Sequence, residues 1–274
     1  MPRAPAVTLS TDFGSVYTAQ VLAVLHRRAP RVPVFVLADD LPAHAVGEAS
    51  FLFERMAAGF PPGTVHLAVV DPGVGGRRES VAVELTEGSR LVGPNNGLLT
   101  PFAESVGVRR VVRIDPALVH APSRVSPTFH GRDLFAPAAA ALATGRTVAE
   151  LGAPSRLTRS PVPEPTRGRS NASGKVVHVD RFGNLITSIP NRWLPPAADR
   201  VRVRVGSAPA TWMRVRTTYD EMGPEELAVL RSSFETLEVS ARARRADRII
   251  RGRSGSRVRV EWAGPRRAAG REGK

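Results

Sequence analysis

The feature that most constrains the fold is an alternation in the first 150 residues. Short, continuous apolar runs end in acids, and helically spaced segments separate them. AVTLST (6–11) runs into Asp12, VPVFVLADD (32–40) closes on Asp39 and Asp40, and TVHLAVVDP (64–72) reaches Asp71. Between them, TAQVLAVLHRRAP (18–30) and HAVGEASFLFERMAAGF (44–60) carry apolar residues at helical intervals and are stopped by proline or glycine. Strands that are apolar throughout are buried on both faces, so the pattern predicts a mainly parallel α/β domain. SVAVEL and RLVGPNNG are expected to pair as a hairpin or as adjacent short strands, and GRDLFAPAAAALATG (131–145) reads as a further helix.

The pattern changes at 153–174, where Pro, Ser, Gly and Arg dominate and periodicity is lost. Beyond it, KVVHVD, NLITSI, RVRVRVG, TWMRVRTTY, TLEVSARA and RVRVEW read as short strands, several with period-two alternation of apolar residues and arginine. The expected organisation is an N-terminal α/β catalytic domain (1–158), a linker (159–173), a smaller C-terminal antiparallel barrel-like β domain (174–264) and a disordered tail (265–274).

Composition narrows the chemistry. The chain has no cysteine, which removes disulfides, thiolate nucleophiles and Cys-ligated zinc. No apolar run has the length of a membrane span, and MPRAPAVTLSTDFG does not read as a signal peptide, so a cytoplasmic protein is expected. The formal net charge is +14. Lys175 and Lys274 are the only lysines, and residues 241–274 hold 12 Arg or Lys against 3 Asp or Glu. Such an arginine bias reads as a solvated surface, and neither nucleic acid nor membrane is an expected partner.

In a parallel sheet, ligands bind beyond the carboxyl ends of the strands, where Asp12, Asp39, Asp40 and Asp71 collect. GPNNG adds Asn95 and Asn96, and TFHGRD puts His130 and Asp133 at a helix start. An Asp after a strand is usually a turn former. GVGG leads into a strand rather than a helix, which excludes a dinucleotide-binding loop. The acids lack the spacing of a metal motif, so no metal ligands are assigned.

In combination these segments are more specific. TDFG (11–14), DPGVGG with Arg78, GPNNGLLTP (93–101), TFHGRDLFAP (128–137) and DRFGNLIT (180–187), in that order, resemble the S-adenosyl-L-methionine hydroxide adenosyltransferases, relatives of the fluorinases and chlorinases. The resemblance runs from about residue 6 to about residue 245. It implies cleavage of S-adenosyl-L-methionine, as substrate and without a cofactor, to adenosine and L-methionine through attack of water or hydroxide on ribose C5′. It implies a catalytic trio of Asp71, Arg78 and His130, with Arg77 a surface charge. Asp12 is implied for the ribose hydroxyls, Asp180 for the methionine ammonium, Asn184 for the adenine edge, and Ser232 and Ser233 for the methionine carboxylate. Asn95 joins them as a substrate-binding candidate. The family's assembly implies a homotrimer with sites at subunit interfaces.

On this reading Arg78 stabilises hydroxide, His130 relays a proton, Asp71 orients the water or the arginine, and the loop glycines let backbone approach the substrate. Asp71 is also expected to repel a halide nucleophile, which separates the chain from the halogenating relatives. The alternatives are a halide adenosyltransferase and a non-catalytic adenosine or S-adenosyl-L-methionine binding protein. The loop after TDFG is shorter than the family's, and RSSFETLEVSARARRAD lacks the family's glycine after the serines.

Overall fold

The computed structural model describes residues 6–122 and 124–263, so the expected tail at 265–274 lies outside the described residues. The chain divides into two compact units, Met1–Pro161 and Val162–Lys274.

In the first unit β1 (Val7–Thr11), α1 (Gly14–Arg28), β2 (Val34–Ala38), α2 (Val46–Ala57) and β3 (Val65–Val69) follow the alternation read from the sequence. Next come β4 (Ser80–Leu85), β5 (Arg90–Pro94), α3 (Thr100–Val106) and β6 (Val108–Ile114). A π-helical turn, Gly131–Phe135, runs into α4 (Ala136–Ala143), and β7 (Gly152–Pro154) ends the unit's sheet. The strand order is β2-β1-β3-β5-β4-β6-β7. The pairs β1/β2, β1/β3 and β3/β5 are parallel, whereas β4/β5, β4/β6 and β6/β7 are antiparallel. The parallel part is the part with continuous apolar strands, and every residue of β1 and β3 is buried.

Each face of the sheet carries its own apolar layer. Val7, Leu9, Val65 and Leu67 pack with Val21 and Leu25 of α1 and with the alanines of α4. Ala68, Val81, Val83 and Leu91 pack with Ala49 and Phe53 of α2 and Phe102 of α3. Each fully buried Leu or Val contributes about 1.5–3 kcal/mol relative to exposure. The strand ends are therefore held by the most buried part of the unit.

The second unit holds β8 (Thr166–Arg167), β9 (Asn171–Val179), β10 (Leu185–Pro190), β11 (Arg200–Val205), β12 (Thr211–Arg216), β13 (Leu227–Arg231), β14 (Thr236–Ala241), α5 (Ala246–Ile250) and β15 (Arg257–Trp262). The order β10-β14-β13-β12-β11-β15-β9 closes through a β9–β10 pairing into a barrel, and β8 adds to β9. All pairs are antiparallel except β12/β13. The VRVRV alternation is realised in β11, with valines buried and arginines exposed. Within 159–173, read from the sequence as a linker, β8 forms and β9 begins. Gly168 N donates to the Asn171 carbonyl (2.8 Å) and closes that turn.

Candidate active site

Because β1, β3 and β5 run parallel, their carboxyl ends lie on one edge of the sheet. Asp12 follows β1, Asp71 lies two residues beyond β3, and Asn95 follows β5. The chain before Asp71 is fixed by Asn96, whose Nδ2 donates to the Val70 carbonyl (2.8 Å) while its Oδ1 accepts from Leu98 N (3.2 Å).

The loop after Asp71 folds back through two tight turns, Val74 N to the Asp71 carbonyl (3.2 Å) and Gly76 N to the Gly73 carbonyl (3.0 Å). That reversal returns Arg78 to Asp71. Gly75 has φ +74°, and a Cβ there would stand 2.3 Å from the Pro127 carbonyl oxygen. Only glycine permits both the backbone conformation and the contact. Gly75 thus serves approach to the chain's own 126–130 segment, which carries His130.

The resulting cluster is tightly bonded. Arg78 Nε donates to both Asp71 oxygens (3.0 and 2.9 Å), and Nη2 donates to Asp71 Oδ2 (2.5 Å). Nη2 also reaches His130 Nδ1 (2.6 Å), and Nη1 donates to Ser80 Oγ (2.8 Å). The guanidinium stands 5.4 Å from the centre of the Phe135 ring. The Arg78 and Asp71 side chains are only 11% and 5% exposed, so solvent screens this pair weakly. Arginine has no acceptor, so Nδ1 of His130 must be the unprotonated nitrogen, which assigns the imidazole proton to Nε2. Burial first, and then the Arg78 charge, push the His130 pKa below 6.5, against the opposing effect of Asp71 and Asp133. Four of the five guanidinium N–H groups are engaged, and one on Nη1 has no partner among the described residues.

The other strand-end candidates make no hydrogen bond to this cluster among the described residues. Asp12 Oδ2 accepts from His44 N (3.0 Å), while Oδ1 has no hydrogen bond among the described residues. Beside Asp12, Phe13 forms an edge-to-face group with Tyr17 and Phe129. Both ends of the Asn95 amide are bonded to backbone, Nδ2 to the Arg156 carbonyl (2.9 Å) and Oδ1 to Thr158 N (2.8 Å). Its side chain therefore anchors 156–158, a structural use that the sequence did not suggest. Arg77 is exposed. Asp133 caps the His130 segment by accepting from Ser126 N (2.9 Å) and pairs with Arg132, which holds its carboxyl below the usual range. A hollow of about 740 Å³ at the opposite edge, lined by Phe35, Phe60 and Arg90, contains none of the candidates.

In the second unit Asp180 and Asn184 meet in the turn between β9 and β10. Asp180 Oδ1 accepts from Phe182 N and Asn184 N (both 2.9 Å), and Oδ2 accepts from Asn184 Nδ2 (2.9 Å). Gly183 allows this turn, with φ +86° and a Cβ position 2.5 Å from Asp247 Oδ1. Asn184 Nδ2 also lies 3.5 Å from the Tyr219 hydroxyl, which donates to buried Glu238; Ser240 Oγ donates to the same carboxylate (2.6 Å). Burial and Glu238 push the Tyr219 hydroxyl pKa upward. Ser232 closes the β13–β14 turn, its Oγ accepting from Phe234 N (3.2 Å), and Ser233 is exposed. Among the described residues, no three His, Asp or Glu side chains gather as a metal site requires.

Ser80, Tyr219 and Glu238 were not among the residues singled out in the sequence, and Asn96, noted there beside Asn95, fixes the chain before Asp71. Glu238 had a usable signal, an acid within the otherwise strand-like TLEVSA. Ser80 had none, because its role depends on where Arg78 turns.

Fold and cluster define a class: a two-unit protein, α/β then barrel, whose strand-end acid clamps an arginine against a histidine. Residues 7–152 match the SAM hydroxide adenosyltransferase N-terminal domain and residues 174–259 match its C-terminal domain. The chain belongs to the SAM hydroxide adenosyltransferase family. It is 35% identical to the (R)-S-adenosyl-L-methionine hydrolase of Salinispora tropica, covering 95% of this chain and 99% of that one. It is 40% identical to the protein of that name from Thermus thermophilus, over 65% of this chain and 72% of that one. A fluorinase from Actinopolyspora mzabensis is 28% identical over 68% of this chain and 71% of its own length. An uncharacterized conserved protein from Thermotoga maritima has the same fold, with a TM-score of 0.86, 30% identity and coverage of 93% of this chain and 99% of that one.

Proposed function

We propose that this chain hydrolyses S-adenosyl-L-methionine to adenosine and L-methionine. The carrying observation is Arg78, held by Asp71, Ser80 and His130 with one N–H left over. In the reaction an oxygen–C5′ bond forms as the sulfur–C5′ bond breaks. The sulfur keeps the electron pair and leaves as a neutral thioether, and the attacking water gives up one proton to bulk solvent, since His130 Nδ1 and both Asp71 oxygens are bonded to Arg78. The leaving group is already cationic and needs no acid, metal or cofactor to depart. The demand falls on the nucleophile, and the free Arg78 N–H and the His130 Nε2–H are donors that can hold the attacking oxygen.

The clamp changes two roles expected from the sequence. His130 Nδ1 is occupied by Arg78, so the imidazole acts as a donor through Nε2 and as a brace on the guanidinium, rather than as an immediate base. Both Asp71 oxygens are occupied by Arg78, so the carboxylate positions the arginine and its charge is compensated. Repulsion of a halide by Asp71 is correspondingly weakened. Oxygen is preferred on the ground that relatives named hydrolases are 32–40% identical, whereas those named fluorinases are 24–28% identical.

We assign Asp12 Oδ1, which has no hydrogen bond among the described residues, to a ribose hydroxyl, a remaining lone pair of Asp180 Oδ2 to the methionine ammonium, and Asn184 Oδ1 to the adenine amino group. Ser232 and Ser233 are proposed for the methionine carboxylate. We assign the molecule a cytoplasmic location and a homotrimeric assembly, in which neighbouring copies complete each other's site; sedimentation at a trimer mass supports this assembly and a monomer mass contradicts it. The relatives' name specifies the R sulfonium epimer, which we propose as the preferred substrate. Incubation with each resolved epimer, followed by chromatography, tests the function. Adenosine and methionine in equal amounts, faster from the R epimer, are expected; intact substrate of both epimers would refute it.

A further inference from the structure

Composition alone reads the arginine excess as solvated surface, but the barrel gathers much of it on one face. β11 turns Arg200, Arg202 and Arg204 outward. Its neighbours add Arg214 from β12, Arg257 and Arg259 from β15, and Lys175 from the first half of β9. Glu261 is the one acid on these strands' outer face, and Arg259 already holds it at 2.7 Å. Asp199, Glu164 and Glu226 lie at the rims, Glu226 being paired with Arg216 and close enough to Arg214 for their charges to interact.

The register sets like charges directly against each other. Arg200 opposes Arg214, Arg204 opposes Arg259, and Arg257 opposes Lys175. Directly opposed like charges destabilise a sheet. Three such pairs on adjoining strands, with one acid among them, form an arrangement that a bound polyanion relieves.

The same face has relief and an aromatic ring. A hollow of about 550 Å³ is lined by Arg200, Trp212 and Arg214, and one of about 520 Å³ by Lys175, Arg204, Arg257 and Arg259. Arg202 and Arg204 lie between them in a smaller depression. Trp212 is 53% exposed and stands opposite Arg202, with the Arg200 guanidinium 5.2 Å from its ring centre. A basic track with an exposed ring is what single-stranded nucleic acid requires: cations follow the phosphates and a base stacks on the ring. A membrane surface needs an apolar set to insert, and Trp212 is the only large exposed apolar residue on these strands.

We propose that the β12–β11–β15–β9 face binds single-stranded nucleic acid through its phosphates, with Trp212 as a stacking platform, independently of the hydrolytic site. Fluorescence anisotropy of the full-length protein with a labelled 20-nucleotide oligouridine, titrated over a range of salt, tests it. Three engaged phosphates give a slope of about −2 in log affinity against log salt. R204E/R257E is expected to weaken binding at least tenfold and flatten the slope, and W212A to weaken it about tenfold with the slope unchanged. R27E/R31E, the same charge change on the first unit, is expected to leave affinity within twofold. Hydrolysis of S-adenosyl-L-methionine is to be unchanged in all three variants, so failure of this proposal is distinguishable from failure of the enzymatic one. An equal loss in R204E/R257E and R27E/R31E overturns it, as does absence of oligonucleotide binding at low salt. So does binding to phosphatidylserine vesicles in place of the oligonucleotide.

Discussion

Two carboxylate clusters, one in each unit, solve opposite problems. In the first unit Asp71 is neutralised by Arg78 through a bidentate fork, and the cation's remaining valences are nearly exhausted by Ser80 and His130. In the second, Asp180 accepts from the Phe182 and Asn184 amides and the Asn184 side chain, all neutral donors, and has no salt bridge among the described residues. An acid forked by a guanidinium fixes geometry, whereas Asp180 is bonded by neutral donors and feels a cation only through the nearby Arg245. The difference teaches that the first cluster holds a donor in place, and it is consistent with the proposed use of the second for the substrate ammonium.

That contrast is open to attack from several sides. Removing the clamp should be the most damaging change. Arg78→Ala and His130→Ala are each expected to lower kcat by 100- to 1000-fold, about 3–4 kcal/mol, with substrate still bound. Near-normal kcat in both would show that the clamp is not catalytic. Asp180→Asn should act on binding, raising KM by about 10- to 100-fold, the loss of a charge-assisted bond, with kcat little altered. A fall in kcat with unchanged KM would erase the distinction between the clusters. Tyr219→Phe removes a donor from buried Glu238 while Ser240 still serves it, so stability should drop by about 1 kcal/mol, read as a lower Tm.

The mildest probe is pH. The His130 pKa is lowered below 6.5, so the neutral imidazole that accepts from Arg78 is present above its lowered value and is lost as pH falls through it. The acid limb of kcat should therefore lie below pH 6.5. A limb above 6.5 would mean that the Arg78–His130 bond does not persist during turnover.

Much of the first unit was legible because its strands are continuous apolar runs that end in acids. The overlooked elements lack that mark. In α3 there are seven residues, too few to show a period, and β6 reads VRRVVRI, with arginines on its exposed side. In the barrel, β13 is five residues long and its inward positions have no charged alternation to advertise them. The clamp's members were legible as a family resemblance, but its geometry was not. Nothing in the sequence states that Gly75 must pack on Pro127 or that Nη1 of Arg78 bonds Ser80. The use of Asn95 was hidden for the same reason, since its partners lie about 60 residues away and form no pattern.

The central claim is attack by solvent oxygen at C5′, held by the Arg78 clamp. Turnover of S-adenosyl-L-methionine in ¹⁸O-labelled water, with chloride and fluoride present and EDTA added, tests it most directly. The account predicts adenosine carrying the label on its 5′-oxygen, at a rate that EDTA does not change. Unlabelled adenosine, or a 5′-halogenated nucleoside as the major product, would contradict it.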